Sequence, residues 1–120
     1  MPKKILVVDD DLTNVTLIQN RLEQKGFEVI LARDGDVGLE KAKKEKPDLI
    51  ILDVEMPRMN GYTFIVELRK DESAKVIPIL VLTAHEEVQP VFELKGVKGY
   101  LLKPIDFDKL FEKIEKALLS

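Results

Sequence analysis

The chain has 120 residues, of which 45% are hydrophobic and none is cysteine. A chain of this size can bury roughly two-thirds of its unfolded surface in one domain, so it needs no disulfides. Charged residues make up 34% of the sequence, 19 basic against 22 acidic, for a net charge of -3. This even mixture argues against direct nucleic-acid binding and against a basic membrane anchor. We expect one domain over residues 1–120.

The apolar runs are too short for a membrane span or a secretory signal. The longest contain four residues, against the roughly 20 that a transmembrane helix requires. The run that follows Lys3 and Lys4 ends at Asp9, too early for the core of a signal peptide. The absence of cysteine fits a reducing compartment. The sequence therefore predicts a soluble cytoplasmic protein without membrane contact.

Five short runs rich in Ile, Leu and Val predict strands. Four of them show no polar alternation, which is typical of strands buried on both faces of a parallel sheet. The second run is interrupted by Glu28, so we expect it nearer an edge. In chain order the predicted strands are Lys4 to Val8, Phe27 to Leu31, Asp48 to Leu52, Ile77 to Leu82 and Tyr100 to Leu102.

Helical spacing of apolar residues separates these strands, and Gly26, Pro47 and Gly61 mark helix ends. A fourth helix of fewer than two turns is expected from near Gln89 or Pro90 to Lys95, because proline favours the first turn of a helix. The other apolar series are Leu12, Val15, Ile18 and Leu22; Val37, Leu39 and Ala42; Phe64, Ile65 and Leu68; and Phe107, Leu110, Phe111, Ile114 and Leu118.

The alternation of strands and helices predicts an α/β fold of the (βα)5 type. Short connections between parallel strands require right-handed crossovers, which place helices on both faces of a doubly wound sheet. Among the common doubly wound folds, five strands fit the flavodoxin-like order 2-1-3-4-5. In such a sheet, ligands bind beyond the carboxyl ends of the strands, near the point where the strand order reverses.

Polar residues occupy the predicted carboxyl ends of four strands. Asp9, Asp10 and Asp11 follow the first strand, and we interpret Asp11 as the cap of the first helix. The remaining strand ends carry Asp53, Thr83 and Lys103. Carboxylates about 4 Å apart repel by about 4 kcal/mol per pair at an effective dielectric constant near 20, more than one lysine offsets. The cluster therefore predicts a hard divalent cation, Mg²⁺ or Mn²⁺, and phosphoryl transfer onto an aspartate.

Four segments then resemble the CheY-like receiver domain of two-component response regulators. Residues 5–10 are similar to its first strand and acidic pair, and residues 53–61, with the sequence DVEMPRMNG, to its phospho-acceptor loop. Residues 82–84 resemble its hydroxyl site, and residues 99–104 its final strand. The resemblance covers the whole chain and implies the flavodoxin-like fold.

The resemblance implies that Asp53 accepts a phosphoryl group from a histidine kinase or histidine phosphotransfer protein. Asp9, Asp10 and Asp53 would bind Mg²⁺ through their side chains, and Glu55 through its backbone carbonyl. Such a protein is a signalling phospho-acceptor that also loses its phosphoryl group by itself, and not a conventional metabolic enzyme. Its downstream effector, and whether it stands alone or belongs to a longer chain, stay open.

The same resemblance implies a conformational switch. Thr83 and Lys103 would bind phosphoryl oxygens, and Tyr100 would turn inward as Thr83 moves. The Lys103-Pro104 peptide is expected to be cis. Two further residues, Glu55 and His85, are candidates for tuning how long the phosphoryl group lasts, although His85 is equally well read as a solvated loop residue. For Gly61 we expect a backbone conformation that other residues resist.

Two other functions fit parts of the sequence. Asp9 to Thr13 also reads D-x-D-x-T, as in haloacid-dehalogenase-like phosphotransferases, in which case Asp9 would be the nucleophile. That reading lacks an acidic metal motif after a further strand. The other is a receiver-like binding module without phosphorylation, which usually lacks one or more site residues, whereas none is missing here. A flavodoxin fits less well, because three aspartates occupy the place of its phosphate loop.

Overall fold

A computed structural model of the protein describes residues 2–54, 61–84 and 97–119. Strands and helices alternate through most of this part of the chain. In chain order its elements are β1 (Lys4–Val8), α1 (Leu12–Gln24), β2 (Glu28–Ala32), α2 (Gly35–Glu45), β3 (Leu49–Asp53), α3 (Gly61–Arg69), β4 (Ile79–Thr83), β5 (Val97–Leu102) and α4 (Phe107–Leu119).

The five strands form one parallel sheet with the order β2-β1-β3-β4-β5. This confirms the predicted flavodoxin-like fold, including the edge position of the strand that carries Glu28. The strand order reverses between β1 and β3, so the carboxyl ends of these two neighbours form the expected ligand position. The helix predicted from Gln89 or Pro90 to Lys95 lies outside the described residues.

Strand boundaries agree with the sequence prediction to within three residues. β1 has the predicted bounds. β4 begins at Ile79 and not at Ile77, because the Ile77 N–H donates back to Ala74 in the preceding turn and Pro78 has no N–H. β5 begins earlier than predicted, at Val97, which pairs with Ile79.

Helices cover both faces of the sheet and create two apolar cores. On one face α2 and α3 pack against the sheet around the fully buried Phe64. On the other face α1 and α4 contribute the fully buried Ile18 and Ile114. All residues of β3 and β4 are buried, as expected for central strands of a doubly wound sheet. No helix in the described ranges is long and apolar enough to cross a membrane.

Local signals at the helix ends are confirmed, whereas two apolar positions are not. Gly26 follows α1 with φ of 92°, in the left-handed region that glycine tolerates, and α2 ends just before Pro47. Leu12 and Val37, in contrast, were predicted to face the core. Leu12 is 59% exposed, one turn before Val15, the first buried residue of α1. Val37 is 37% exposed, because it lies off the buried stripe of α2, which consists of Gly35, Gly38 and Ala42.

Candidate functional site

Three carboxylates meet at the carboxyl ends of β1 and β3. Asp9 and Asp10 follow β1, and Asp53 ends β3; a carboxylate oxygen from each lies within 4.8 Å of the others. Asp9 is fully buried and Asp53 is 1% exposed, whereas Asp10 is exposed. The backbone of Asp9 is held by its N–H, which donates to the Ala32 carbonyl at 3.0 Å. The structure thus brings together the acids that the sequence placed on one rim.

A lysine and a threonine complete the same rim. Lys103 follows β5, and its Nζ lies 3.2 Å from Oδ1 of Asp53. Its backbone N–H donates to the carbonyl of Thr83 at 2.9 Å, which joins the ends of β4 and β5. Thr83 is fully buried at the end of β4. The Lys103-Pro104 peptide is cis, as expected.

Burial places the Asp9 carboxyl under electrostatic strain. Its Oδ1 accepts the Asp11 N–H at 2.9 Å, but its buried Oδ2 has no hydrogen-bond partner. Burial, and to a smaller extent the adjacent Asp53 carboxyl, raise the pKa of the Asp9 carboxyl to about 7. The Asp11 N–H and the Lys103 ammonium act in the opposite direction. A second positive charge near Asp9 would relieve this strain.

The donor set of the cluster fits a hard cation. All three groups are carboxylates, two of them are buried, and one buried oxygen lacks a donor. Oxygen ligands at this spacing suit Mg²⁺, which also keeps several waters in its shell, for which the exposed position of Asp10 leaves access to solvent. The chemistry of the three groups therefore fits a divalent cation.

Asp11 and Tyr100 lie where the sequence placed them. The Asp11 carboxylate accepts the N–H groups of Thr13 at 2.9 Å and Asn14 at 3.2 Å, so it caps α1 as predicted. Tyr100 is partly buried and packs against the core on the α2 and α3 side, with the Lys113 ammonium 5.9 Å from its ring centre. It pairs with Val81, two residues before Thr83, so Tyr100 and Thr83 are near neighbours on one face.

Two predicted site residues, Glu55 and His85, lie outside the described residues. Gly61, in contrast, is described, and its predicted role is wrong. Its backbone is helical at the start of α3 and not left-handed. It is glycine because a β-carbon there would overlap Cγ1 of Val54 and lie 2.8 Å from its Cβ. Val54, directly after Asp53, is therefore a residue of the site that its apolar side chain did not reveal in the sequence.

The model of the response regulator receiver domain family matches residues 5–115, which is nearly the whole chain. This chain belongs to the response-regulator receiver family. The receiver fold, the acidic cluster and the Asp53-Lys103 pair thus occur together in a protein of two-component signal transduction. The match favours this function over the haloacid-dehalogenase-like and flavodoxin alternatives.

Relatives of this receiver include both regulators and solved receiver structures. It is 48% identical over 106 residues to the alkaline phosphatase synthesis transcriptional regulatory protein PhoP of Bacillus subtilis, covering 87% of this chain and 43% of PhoP. The chemotaxis protein CheY4 of Vibrio cholerae has a TM-score of 0.91 with 34% identity, over 98% of this chain and 99% of CheY4. This receiver therefore spans less than half of the first curated relative and almost all of CheY4.

A third relative bears on the metal site. The response regulator TrrA of Thermotoga maritima, solved in complex with Mg(2+)-BeF, has a TM-score of 0.86 and 35% identity over 96% of this chain and 98% of its own. A receiver of this fold thus binds Mg²⁺ together with a fluoroberyllate group.

Proposed function

We propose that Asp53 accepts a phosphoryl group from a histidine kinase or histidine phosphotransfer protein, and that the domain then signals by a change of conformation. The observation that carries this proposal is the contact at 3.2 Å between the Lys103 ammonium and the buried Asp53 carboxylate, beside two further acids. A buried carboxylate with a cation on one side and a metal-binding cluster on the other is suited to receive a dianionic group.

The transfer step needs only a nucleophile and charge compensation. A carboxylate oxygen of Asp53 forms a bond to phosphorus while the bond from phosphorus to the donor imidazole nitrogen breaks, and the imidazole keeps that electron pair. Lys103 lies on one side of Asp53, where its ammonium can follow the charge onto the phosphoryl oxygens. Bound Mg²⁺ would supply the remaining neutralisation of those oxygens.

We assign the Mg²⁺ ligands to the side chains of Asp9, Asp10 and Asp53 and to the backbone carbonyl of Glu55. The spacing of the three carboxylates, the buried Asp9 Oδ2 without a donor and the Mg(2+)-BeF complex of TrrA support this assignment. Mn²⁺ has similar oxygen preferences and is the second candidate.

For the switch we propose that Thr83 and Lys103 bind phosphoryl oxygens and that Tyr100 follows Thr83. The hydrogen bond from Lys103 N–H to the Thr83 carbonyl links the two residues, and Tyr100 lies on the same face of the sheet as Thr83. The roles of Glu55 and His85 in setting the lifetime of the phosphoryl group stay predictions. The single domain over residues 1–120, the cytoplasmic location and signalling to a downstream effector also stay predictions.

Labelling with acetyl phosphate and MgCl₂, followed by mass spectrometry, tests the acceptor. We expect one acid-labile addition on Asp53 that requires Mg²⁺ and is lost in Asp53→Asn and Asp10→Ala. Asp11→Ala is the matched control, because its side chain caps α1, and it should label like the wild type. Labelling on Asp9 would support the dehalogenase-like function, and no labelling would support a binding module.

Beryllofluoride tests the switch separately from the acceptor. NMR shifts should spread from Asp53 to Tyr100 in the wild type when BeF₃⁻ and Mg²⁺ are added. In Thr83→Ala and Lys103→Ala the shifts should stay close to Asp53, because each variant lacks a side chain that would contact the bound group. Wild-type shifts at Tyr100 in both variants would contradict the proposed switch.

A further inference from the structure

A buried glycine touches the residue next to the phospho-acceptor. Gly61, the first residue of α3, packs so closely on Val54 that a β-carbon there would overlap Cγ1 and lie 3.0 Å from the Val54 Cα. Val54 follows Asp53, and its N–H donates to the carbonyl of Leu82 at 3.2 Å. This hydrogen bond fixes the backbone of Val54 against β4. A displacement of Val54 by a larger residue at position 61 would therefore also displace Asp53, its neighbour in the chain.

A second buried glycine touches the residue before Asp9. Gly38 lies in α2, and a β-carbon there would be 3.0 Å from Cγ2 and 3.1 Å from Cγ1 of Val8. It would also lie 3.0 Å from Cε2 of Phe64, one turn into α3. These distances are shorter than ordinary carbon contacts, which lie near 3.5–4.0 Å. The tight approach of α2 thus reaches the last residue of β1 directly.

We propose that Gly38 and Gly61 are positioning residues that set the separation of the Asp9 and Asp53 carboxylates, and thereby the affinity for Mg²⁺. Each glycine lets a helix lie against the residue adjoining one buried acid. The inference rests on the proposed function, since it takes these two acids as Mg²⁺ ligands.

The intrinsic helix propensity of alanine would not weaken the Mg²⁺ site in the glycine-to-alanine variants. Alanine is a better helix former than glycine, so on propensity alone Gly38→Ala and Gly61→Ala would stabilise α2 and α3. A weaker Mg²⁺ site in these variants would therefore come from the close contacts with Val8, Phe64 and Val54.

The test is a titration of the full chain with MgCl₂, followed by backbone amide NMR shifts. Groups that orient metal ligands commonly change affinity by about 10- to 100-fold, so we expect at least about tenfold weaker binding in Gly61→Ala. Adding Val54→Ala removes Cγ1, the atom that the new β-carbon overlaps, but keeps Cβ and Cα, so it should restore part of the affinity. Val54→Ala alone provides the baseline for that double variant.

Gly99→Ala is the matched control. Gly99 lies in β5, and its β-carbon would meet Leu80 Cδ2 at an ordinary 3.4 Å. Since it adjoins neither acid, the variant should bind Mg²⁺ within about twofold of the wild type. Thermal unfolding of each variant shows that the titrations are made on folded protein.

If Gly61→Ala does not fold, the same Mg²⁺ titration is made on Gly38→Ala. The β-carbon at residue 38 meets only side-chain atoms, which can yield by a few tenths of an ångström, so we expect a smaller loss, about two- to fivefold. Adding Val8→Ala removes two of its three close contacts and should reverse part of the loss.

The outcomes separate this inference from the function on which it rests. If the wild type binds Mg²⁺ and Asp9→Asn does not, the metal site stands, and unchanged affinity in the folded glycine variants overturns only the positioning role. Failure of Val54→Ala to rescue Gly61→Ala also overturns it. If the wild type itself shows no Mg²⁺ binding that depends on Asp9, the proposed metal site fails first.

Discussion

The charged residues at the two ends of the parallel sheet differ in their exposure to solvent. At the amino end, Lys4 lies between two acids, with its Nζ 3.8 Å from Glu28 and 3.7 Å from Glu45. Its backbone N–H donates to the Asp48 carboxylate at 2.8 Å. These acids are exposed to water, so each charge is solvated and the ion pairs contribute little to stability.

At the carboxyl end, the Lys103 ammonium pairs with Asp53 of the acid cluster, and two of the three acids are buried. Burial without full compensation costs stability, because desolvation opposes the charged form. The amino end is thus a solvated surface, whereas the carboxyl end holds buried negative charge that a cation can neutralise. Four measurements of stability test this difference between the two ends.

The largest effect on the free energy of unfolding is expected from deprotonation of Asp9 as the pH rises. Because the pKa of Asp9 is about 7 in the folded protein, against an unfolded value near 4, the unfolded chain releases this proton first as pH rises. The contribution to stability is therefore complete below pH 4 and is lost by about pH 7, by at most about 4 kcal/mol. Urea unfolding in EDTA should show Asp9→Asn more stable than the wild type at pH 8, with the difference vanishing below pH 4.

Mg²⁺ provides the control for that measurement. At pH 8 a concentration tenfold above Kd should stabilise the wild type by about 1.4 kcal/mol and Asp9→Asn much less. Parallel pH profiles for the two proteins, with equal responses to Mg²⁺, would show that Asp9 is as well solvated as the acids at the amino end.

Loss of the Lys103 charge should be the next largest effect. Lys103→Met leaves the buried Asp53 carboxylate without its ion-pair partner and should lower the free energy of unfolding by about 1–3 kcal/mol at pH 8. Adding Asp53→Asn removes the buried negative charge and should recover most of this loss. Equal stability of Lys103→Met and wild type in urea would contradict the contrast between the two ends.

Asp11 should behave as a helix cap although it adjoins the acid cluster. Asp11→Ala removes an acceptor for the Thr13 and Asn14 N–H groups and should cost about 1 kcal/mol of stability. Phosphorylation with acetyl phosphate should be largely unchanged, as measured by mass spectrometry. Loss of labelling in this variant would shift the ligand assignment by one residue.

The smallest effect is expected at the amino end. Lys4→Met breaks both exposed ion pairs but should change the free energy of unfolding by less than about 1 kcal/mol. That difference should shrink further in 1 M NaCl, because salt screens exposed charges. A loss as large as that of Lys103→Met, read from the same urea curves, would mean that the two ends are alike.

Local signals in the sequence determined much of the architecture. Uninterrupted Ile, Leu and Val runs indicated buried parallel strands, and alternation with helical spacing predicted the strand order, because few topologies satisfy right-handed crossovers. The acids at the ends of β1 and β3 were found in the same way, since carboxyl ends of neighbouring strands meet at one rim. Asp11 was recognised as a cap because capping depends only on residues two and three positions away.

The tertiary structure alone decided what depends on distant parts of the chain. Leu12 precedes the first buried residue of its helix, and Val37 lies off the stripe of α2 that packs on the sheet, so periodicity could not assign their exposure. Gly61 is required by the side chain of Val54 and not by its own backbone, a contact between two elements that no local pattern contains. The pKa of Asp9 likewise follows from burial and from Asp53, 44 residues away, because desolvation and charge act through space and not along the sequence.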